Sequence, residues 1–151
     1  MNLIEEIERV RATSRHELLE QVVKMLRNSN ERYSWVGVYM VRGNSLILEA
    51  FSGERTEHEK IGIGDGVCGL AAKLGETVVV PDVRKEPRYI ACFPSTRSEI
   101  VVPIKVEGRV VGEIDIDSDL LDAFDAEDVK LLEQVAKVLV ERPELFLEPD
   151  G

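Results

Sequence analysis

Apolar residues over the first thirty positions fall three and four apart. Leu3, Ile4, Ile7 and Val10, then Leu18, Leu19, Val22, Val23 and Leu26, predict helix, broken into two near Ala12–Arg15. The period then shortens. YSWVGVYMV (33–41) and SLILEAF (45–51) read as strands joined by a Gly43-Asn44 turn. GDGVCGLAAKLG (64–75) carries glycine at both ends and small residues between, which predicts a short helix starting near Asp65–Gly66 and stopping at Gly75. TVVV (77–80) is a short strand. Residues 81–96 hold three prolines and read as a loop. SEIVVPIKV (98–106) and RVVGEIDID (109–117) form a second hairpin. FDAEDVKLLEQVAKVLVER (124–142) is a helix with Asp125 at its N-cap and Pro143 beyond its end. The order implies one α+β domain over 1–151: an antiparallel sheet with terminal helices on one face and the other face free for a pocket.

The second hairpin narrows this further. Ile100, Val102 and Ile104 alternate with Glu99, Val101 and Lys105, and Gly112, Ile114 and Ile116 alternate with Glu113, Asp115 and Asp117. Directly opposed side chains share a face, so the apolar sets must meet. A two-residue turn at Glu107-Gly108 would set Glu99 opposite Ile116 and mix the faces. A three-residue loop, Val106-Glu107-Gly108, pairs Lys105 with Arg109 and Glu99 with Asp115, leaving Asp117 one step along the same face. Either three carboxylates converge there or the face is simply solvated. Opposed like charges are destabilising, which favours convergence, and clustered carboxylates raise one another's pKa so that one stays protonated.

Charge and composition remove whole classes of function. The net charge of −10 opposes a nucleic-acid grip. No apolar run is long enough to span a membrane, and MNLIEEIERV lacks a signal-peptide core. Two cysteines in such a chain read as reduced and cytoplasmic. Cys92 lies in the proline-rich loop near Arg84, Lys85, Arg88 and Arg97, cations that favour a thiolate, although a small buried hydrophobe is the competing reading. Cys68 opens the central helix, where backbone amides and the helix dipole favour a thiolate or a bound anion. Tight packing is its alternative. No pair among Cys68, Cys92, His16 and His58 has the spacing of a zinc site, and no metal is expected. Trp35 and Tyr39 share a strand face that Gly37 leaves open, either as core or as a pocket wall.

The order of elements, with PDVRKEPRY, SEIVVPI and the terminal FDAEDVKLLEQVAKVL, resembles the GAF domain over nearly the whole chain. WVGVY, GDGVCG, YIAC and IDIDS together resemble the free methionine-(R)-sulfoxide reductases, single GAF domains with redox cysteines. The resemblance implies that Cys92 is the catalytic cysteine and Cys68 the resolving one. It implies that Glu99, Asp115 and Asp117 contact the substrate and that Trp35 and Tyr39 take its methyl end. Glu99 or Asp117 would then be the proton donor. An external dithiol such as thioredoxin would be the reductant, with no organic cofactor or metal. The chain departs from the pattern at His58, where many members carry a third cysteine, and at Phe93, where the usual residue is aspartate. A small-molecule-sensing GAF module without chemistry is the alternative. Long helices near both ends suit a homodimer under either.

Overall fold

The computed structural model describes residues 2–89 and 93–146. Among them, six strands form one antiparallel sheet. They are β1 (Trp35–Arg42), β2 (Ser45–Ser52), β3 (Lys60–Gly62), β4 (Val78–Val80), β5 (Ser98–Val106) and β6 (Arg109–Ser118), in the spatial order β3-β2-β1-β6-β5-β4. The α-helices are α1 (Leu3–Glu8), α2 (Arg15–Ser29), α3 (Gly66–Leu74), α4 (Ala126–Leu139) and α5 (Pro143–Phe146).

The sheet separates two apolar clusters. On one face Val36, Val38, Ile100, Val102, Ile114 and Ile116 pack against Leu18, Val22 and Leu26 of α2 and Leu132, Val135 and Leu139 of α4. This is the main core, and burial of these side chains is the largest stabilising term, about 1.5–3 kcal/mol for each full-sized one. The opposite face carries a smaller cluster of Trp35, Tyr39, Leu46, Val67, Cys68 and Val101, covered by α3. The terminal helices therefore do lie on one face, as the sequence predicts.

Local signals set most boundaries. The first helical stretch breaks between Glu8 and Arg15, and the Ser14 side chain restarts it by accepting from the Glu17 amide. Asp125 caps α4 in a reciprocal capping box with Asp128. Asp128 also accepts from Arg32 Nη1 at 3.1 Å and Nη2 at 3.2 Å, tying α4 to the loop before β1. Two elements were not foreseen. Pro143 lies beyond the end of α4 as expected and also opens α5, in keeping with its preference for a first helical turn. Strand β3 has no sequence signature, being three residues recruited by pairing with β2.

The second hairpin corrects the predicted loop. Its turn is the two-residue Glu107-Gly108, with Val106 opposite Arg109 and positive φ at both turn residues (52° and 79°), the form that matches strand twist. The feared mixing of faces does not follow, because β6 carries a bulge. Lys105 faces Val110 but Ile104 faces Gly112, so Val111 has no partner of its own. That extra residue restores the apolar pairs Ile100–Ile116 and Val102–Ile114, and sets Glu99 opposite Asp117 rather than Asp115.

Candidate active site

Three parallel rows cross the centre of the sheet on the side of the smaller cluster. Trp35 of β1 lies opposite Asp117 of β6, which lies opposite Glu99 of β5. Gly37, Asp115 and Val101 form the next row, and Tyr39, Glu113 and Pro103 the third. Successive rows are two residues apart along each strand, so all these side chains project the same way. Four carboxylates thus share one patch: the expected Glu99, Asp115 and Asp117, and also Glu113. All four are buried, at 4%, 1%, 2% and 0% exposure.

Burial and mutual repulsion shift this patch toward its protonated forms. Burial raises Glu99 well above the ordinary carboxyl range, and Asp115 and Asp117 push it further. Burial raises Asp117 and Glu113 in the same way, with Asp115 adding to each. Asp115 is also raised by burial, while its contacts with Glu99 and Cys68 pull it back. Both oxygens of Asp115, both of Glu113 and Oδ1 of Asp117 have no hydrogen-bond partner among the described residues. Buried polar atoms left this way cost stability, so the patch is built for a guest that donates.

Helix α3 brings Cys68 to the patch. Its start at Asp65–Gly66 and its stop at Gly75 match the sequence reading. The Cys68 thiol donates to Glu99 Oε2 at 3.9 Å. Its helix-start position left a thiolate or bound anion open against tight packing, and burial in the smaller cluster fits the packing reading. Burial pushes the thiol well up, and Asp115, Glu99, Glu113 and Asp117 reinforce the shift. The bound anion suggested for this helix start meets the same negative patch.

Trp35 and Tyr39 both lie in the smaller apolar cluster, and of the two only Trp35 also lines the cavity beside Asp117. Gly37 does not leave the face empty: a Cβ there would stand 2.2 Å from the Trp35 ring, so the indole lies along the strand over the glycine. Trp35 Nε1 donates to the Glu54 carbonyl at 2.8 Å, and the ring packs against Phe51 and Phe93 with centroids 6.1 and 5.8 Å away. The Tyr39 hydroxyl donates to the His58 carbonyl at 2.8 Å. A cavity of about 200 Å³, lined by Trp35, Phe93, Thr96, Asp117 and Asp119, opens at the Trp35–Asp117 edge of the patch.

Cys92 lies outside the described residues. Its flanks do not: Val83 and Phe93 belong to the smaller cluster and Tyr89 packs against it, on the same side of the sheet as the carboxylates. The cations next to it in sequence are partly committed. Arg84 bonds Asp82 through Nε (3.2 Å) and Nη2 (3.3 Å), and Arg97 Nη1 donates to the Pro94 and Thr96 carbonyls.

Glu113 is the residue that sequence reading did not single out, although three acidic side chains at 113, 115 and 117 all point one way on a strand. It provides a clean test of the patch's electrostatics. Carboxyls raised by folding bind protons more tightly in the native state than in the unfolded one. Their contribution is therefore fully present below the unfolded pKa of about 4 and is lost as pH rises through the raised values. Glu113→Gln keeps the shape and removes one titration. Its melting temperature relative to the parent is expected to climb as pH rises from about 4 to 8. Parallel melting profiles for the two proteins would show that Glu113 is not held protonated.

Comparison with known proteins gives a consistent set. A sequence model of the GAF domain matches residues 14–140. A Saccharomyces cerevisiae protein named free methionine-R-sulfoxide reductase is 44% identical over 110 residues, which span 70% of this chain and 61% of that protein. Among solved structures, the type II free methionine-R-sulfoxide reductase from Thermoplasma acidophilum superposes with a TM-score of 0.80 at 40% identity, covering 93% of this chain and 96% of that one. The free methionine-R-sulfoxide reductase from Neisseria meningitidis in complex with its substrate gives a TM-score of 0.89 at 38% identity, covering 94% and 86%.

Proposed function

Since the chain belongs to the GAF domain family, and within it to the free methionine-R-sulfoxide reductases, we propose that it reduces free methionine-(R)-sulfoxide to methionine with Cys92 as nucleophile and Cys68 as resolving thiol. Family membership makes it an oxidoreductase. The observation that carries the reading is the row Trp35–Asp117–Glu99 with Asp115 beside it: an aromatic wall, buried acids and unpartnered oxygens within one patch.

The chemistry follows from those groups. The Cys92 thiolate attacks the sulfoxide sulfur while protonated Glu99 or Asp117 gives its proton to the oxygen. Oxygen passes to Cys92, which becomes a sulfenic acid, and methionine leaves. The Cys68 thiol condenses with it, releasing water and forming a disulfide that an external dithiol such as thioredoxin reopens. Asp115 and an ionised neighbour suit the substrate's ammonium, and Trp35 and Tyr39 take its methyl end. A patch this acidic accepts the free amino acid and disfavours methionine sulfoxide in a peptide, whose ammonium is gone. No metal or organic cofactor takes part. The unit that acts is 1–151 as one domain, in the cytoplasm, as a homodimer.

Incubation with dithiothreitol and free methionine-(R,S)-sulfoxide tests this directly. Methionine is expected, with consumption stopping at half of an equal mixture of the (R) and (S) sulfoxides, and the N-acetylated amide is expected to persist. A sensing module would bind and make no methionine. Glu99→Gln is expected to lower kcat by about 100-fold or more, the usual worth of a positioned acid, with little loss of melting temperature. The parent kcat should fall as pH rises through the raised pKa of the acid, because only its protonated form donates. An unchanged kcat in Glu99→Gln would move the acid role to Asp117.

A further inference from the structure

Cys68 Sγ, one oxygen of Glu99 and one of Asp115 all lie within 4.8 Å of one another, and all three residues are buried. The sulfur–oxygen separation to Glu99 is 3.9 Å. Around a tetrahedral zinc ion, with Zn–S about 2.3 Å and Zn–O about 2.0 Å, sulfur and oxygen stand about 3.5 Å apart. Side-chain shifts of well under a turn of helix or a strand slip therefore close the set onto an ion. Asp115 has both oxygens without a partner among the described residues, and so does Glu113, next on the same face. The cross-strand neighbours of Asp115 are Gly37 and Val101, which offer it no donor side chain.

The donor chemistry selects the guest. One thiolate with two carboxylates is a borderline set, suited to zinc-class ions and too small and too soft for magnesium or calcium. A cavity of about 200 Å³ reaches Asp117, the cross-strand neighbour of Glu99.

We propose that Cys68, Glu99 and Asp115 form a binding site for a zinc-class divalent cation, with Glu113 or water as the fourth ligand. The ion takes no part in turnover. It ties up the thiol and the acids together, and, on the reductase reading above, holds the protein reduced and inactive until a chelator removes it.

Cobalt(II) chloride added to the reduced protein, without thiols or substrate, tests the site. A thiolate-to-cobalt charge-transfer band is expected in the parent chain and in Cys92→Ser. It is expected to vanish in Cys68→Ser, to require at least 10-fold more cobalt in Asp115→Asn, and to bleach when zinc is added. Near-UV circular dichroism establishes that each variant is folded, and Asp115→Asn carries the test if Cys68→Ser is not. No band in the parent, a band that survives Cys68→Ser or is lost in Cys92→Ser, or full affinity in Asp115→Asn would overturn the site. The band is read without turnover. Its absence leaves the reductase reading standing, and its presence in a chain that makes no methionine even after a chelator has removed the ion sinks that reading alone.

Discussion

Cys92→Ser is expected to reduce methionine formation from free methionine sulfoxide to the uncatalysed background while the melting temperature stays within about a degree. The chemistry demands this size of effect. Oxygen must pass to a polarisable atom that can hold it as a sulfenic acid, and a serine hydroxyl can do neither that nor ionise near neutral pH. No other group of the patch substitutes. Cys68 sits 3.9 Å from Glu99 and is held protonated by burial and four carboxylates, so it is a poor first nucleophile. Stability should hold because serine is nearly the same size. The segment is also anchored elsewhere, by Val83 and Phe93 in the smaller cluster and by the Arg97 amide donating to the Ser118 carbonyl at 2.8 Å. Methionine release and melting of the variant decide the matter together. Full activity in a folded Cys92→Ser removes Cys92 from the mechanism.

How far the sequence could lead is clearest in the second hairpin. Alternation alone required Ile100 and Ile116, and Glu99 and the acidic set, to share faces, and they do. The local step was wrong because two devices deliver the same faces: a three-residue loop, or a two-residue turn followed by a bulge. Only the β6 pairing, with Val111 left over, distinguishes them. Helix boundaries were legible where Asp125 and Gly75 act as caps whose chemistry works within a few residues, while Ser14, which caps α2, was not singled out. The state of Cys68 was not legible. Its helix start argues for a thiolate, while the carboxylates that reverse this come from β5 and β6, far along the chain. Gly37 failed for a related reason, since an absent side chain says nothing about which neighbour fills the space, and here it is the ring of Trp35 two residues back. The short β3 exists only by virtue of its partner.

Cys68→Ser is expected to release about one methionine per chain and then stall when thioredoxin is the reductant. With Glu99 as the acid of the proposed path, it has given its proton to the sulfoxide oxygen by the time Cys92 is a sulfenic acid. An ionised Glu99 then lies 3.9 Å from the Cys68 thiol, placed to take that proton back as the disulfide forms. The resting protonation of Cys68 is therefore no obstacle to resolution, because the first half-reaction makes the base that the second half needs. Geometry sets the other demand. A disulfide requires the two α-carbons within about 7 Å. The 81–97 segment must present Cys92 to the start of α3 at that range. With only two cysteines in the chain, no second resolver is available. The stalled species should carry a sulfenic acid on Cys92 that a carbon-acid probe such as dimedone labels, a label the parent chain does not retain. Dithiothreitol, small enough to attack the sulfenic acid directly, should restore part of the rate. Normal turnover of Cys68→Ser with thioredoxin would exclude Cys68 as the resolving thiol and leave direct reduction of the sulfenic acid as the route.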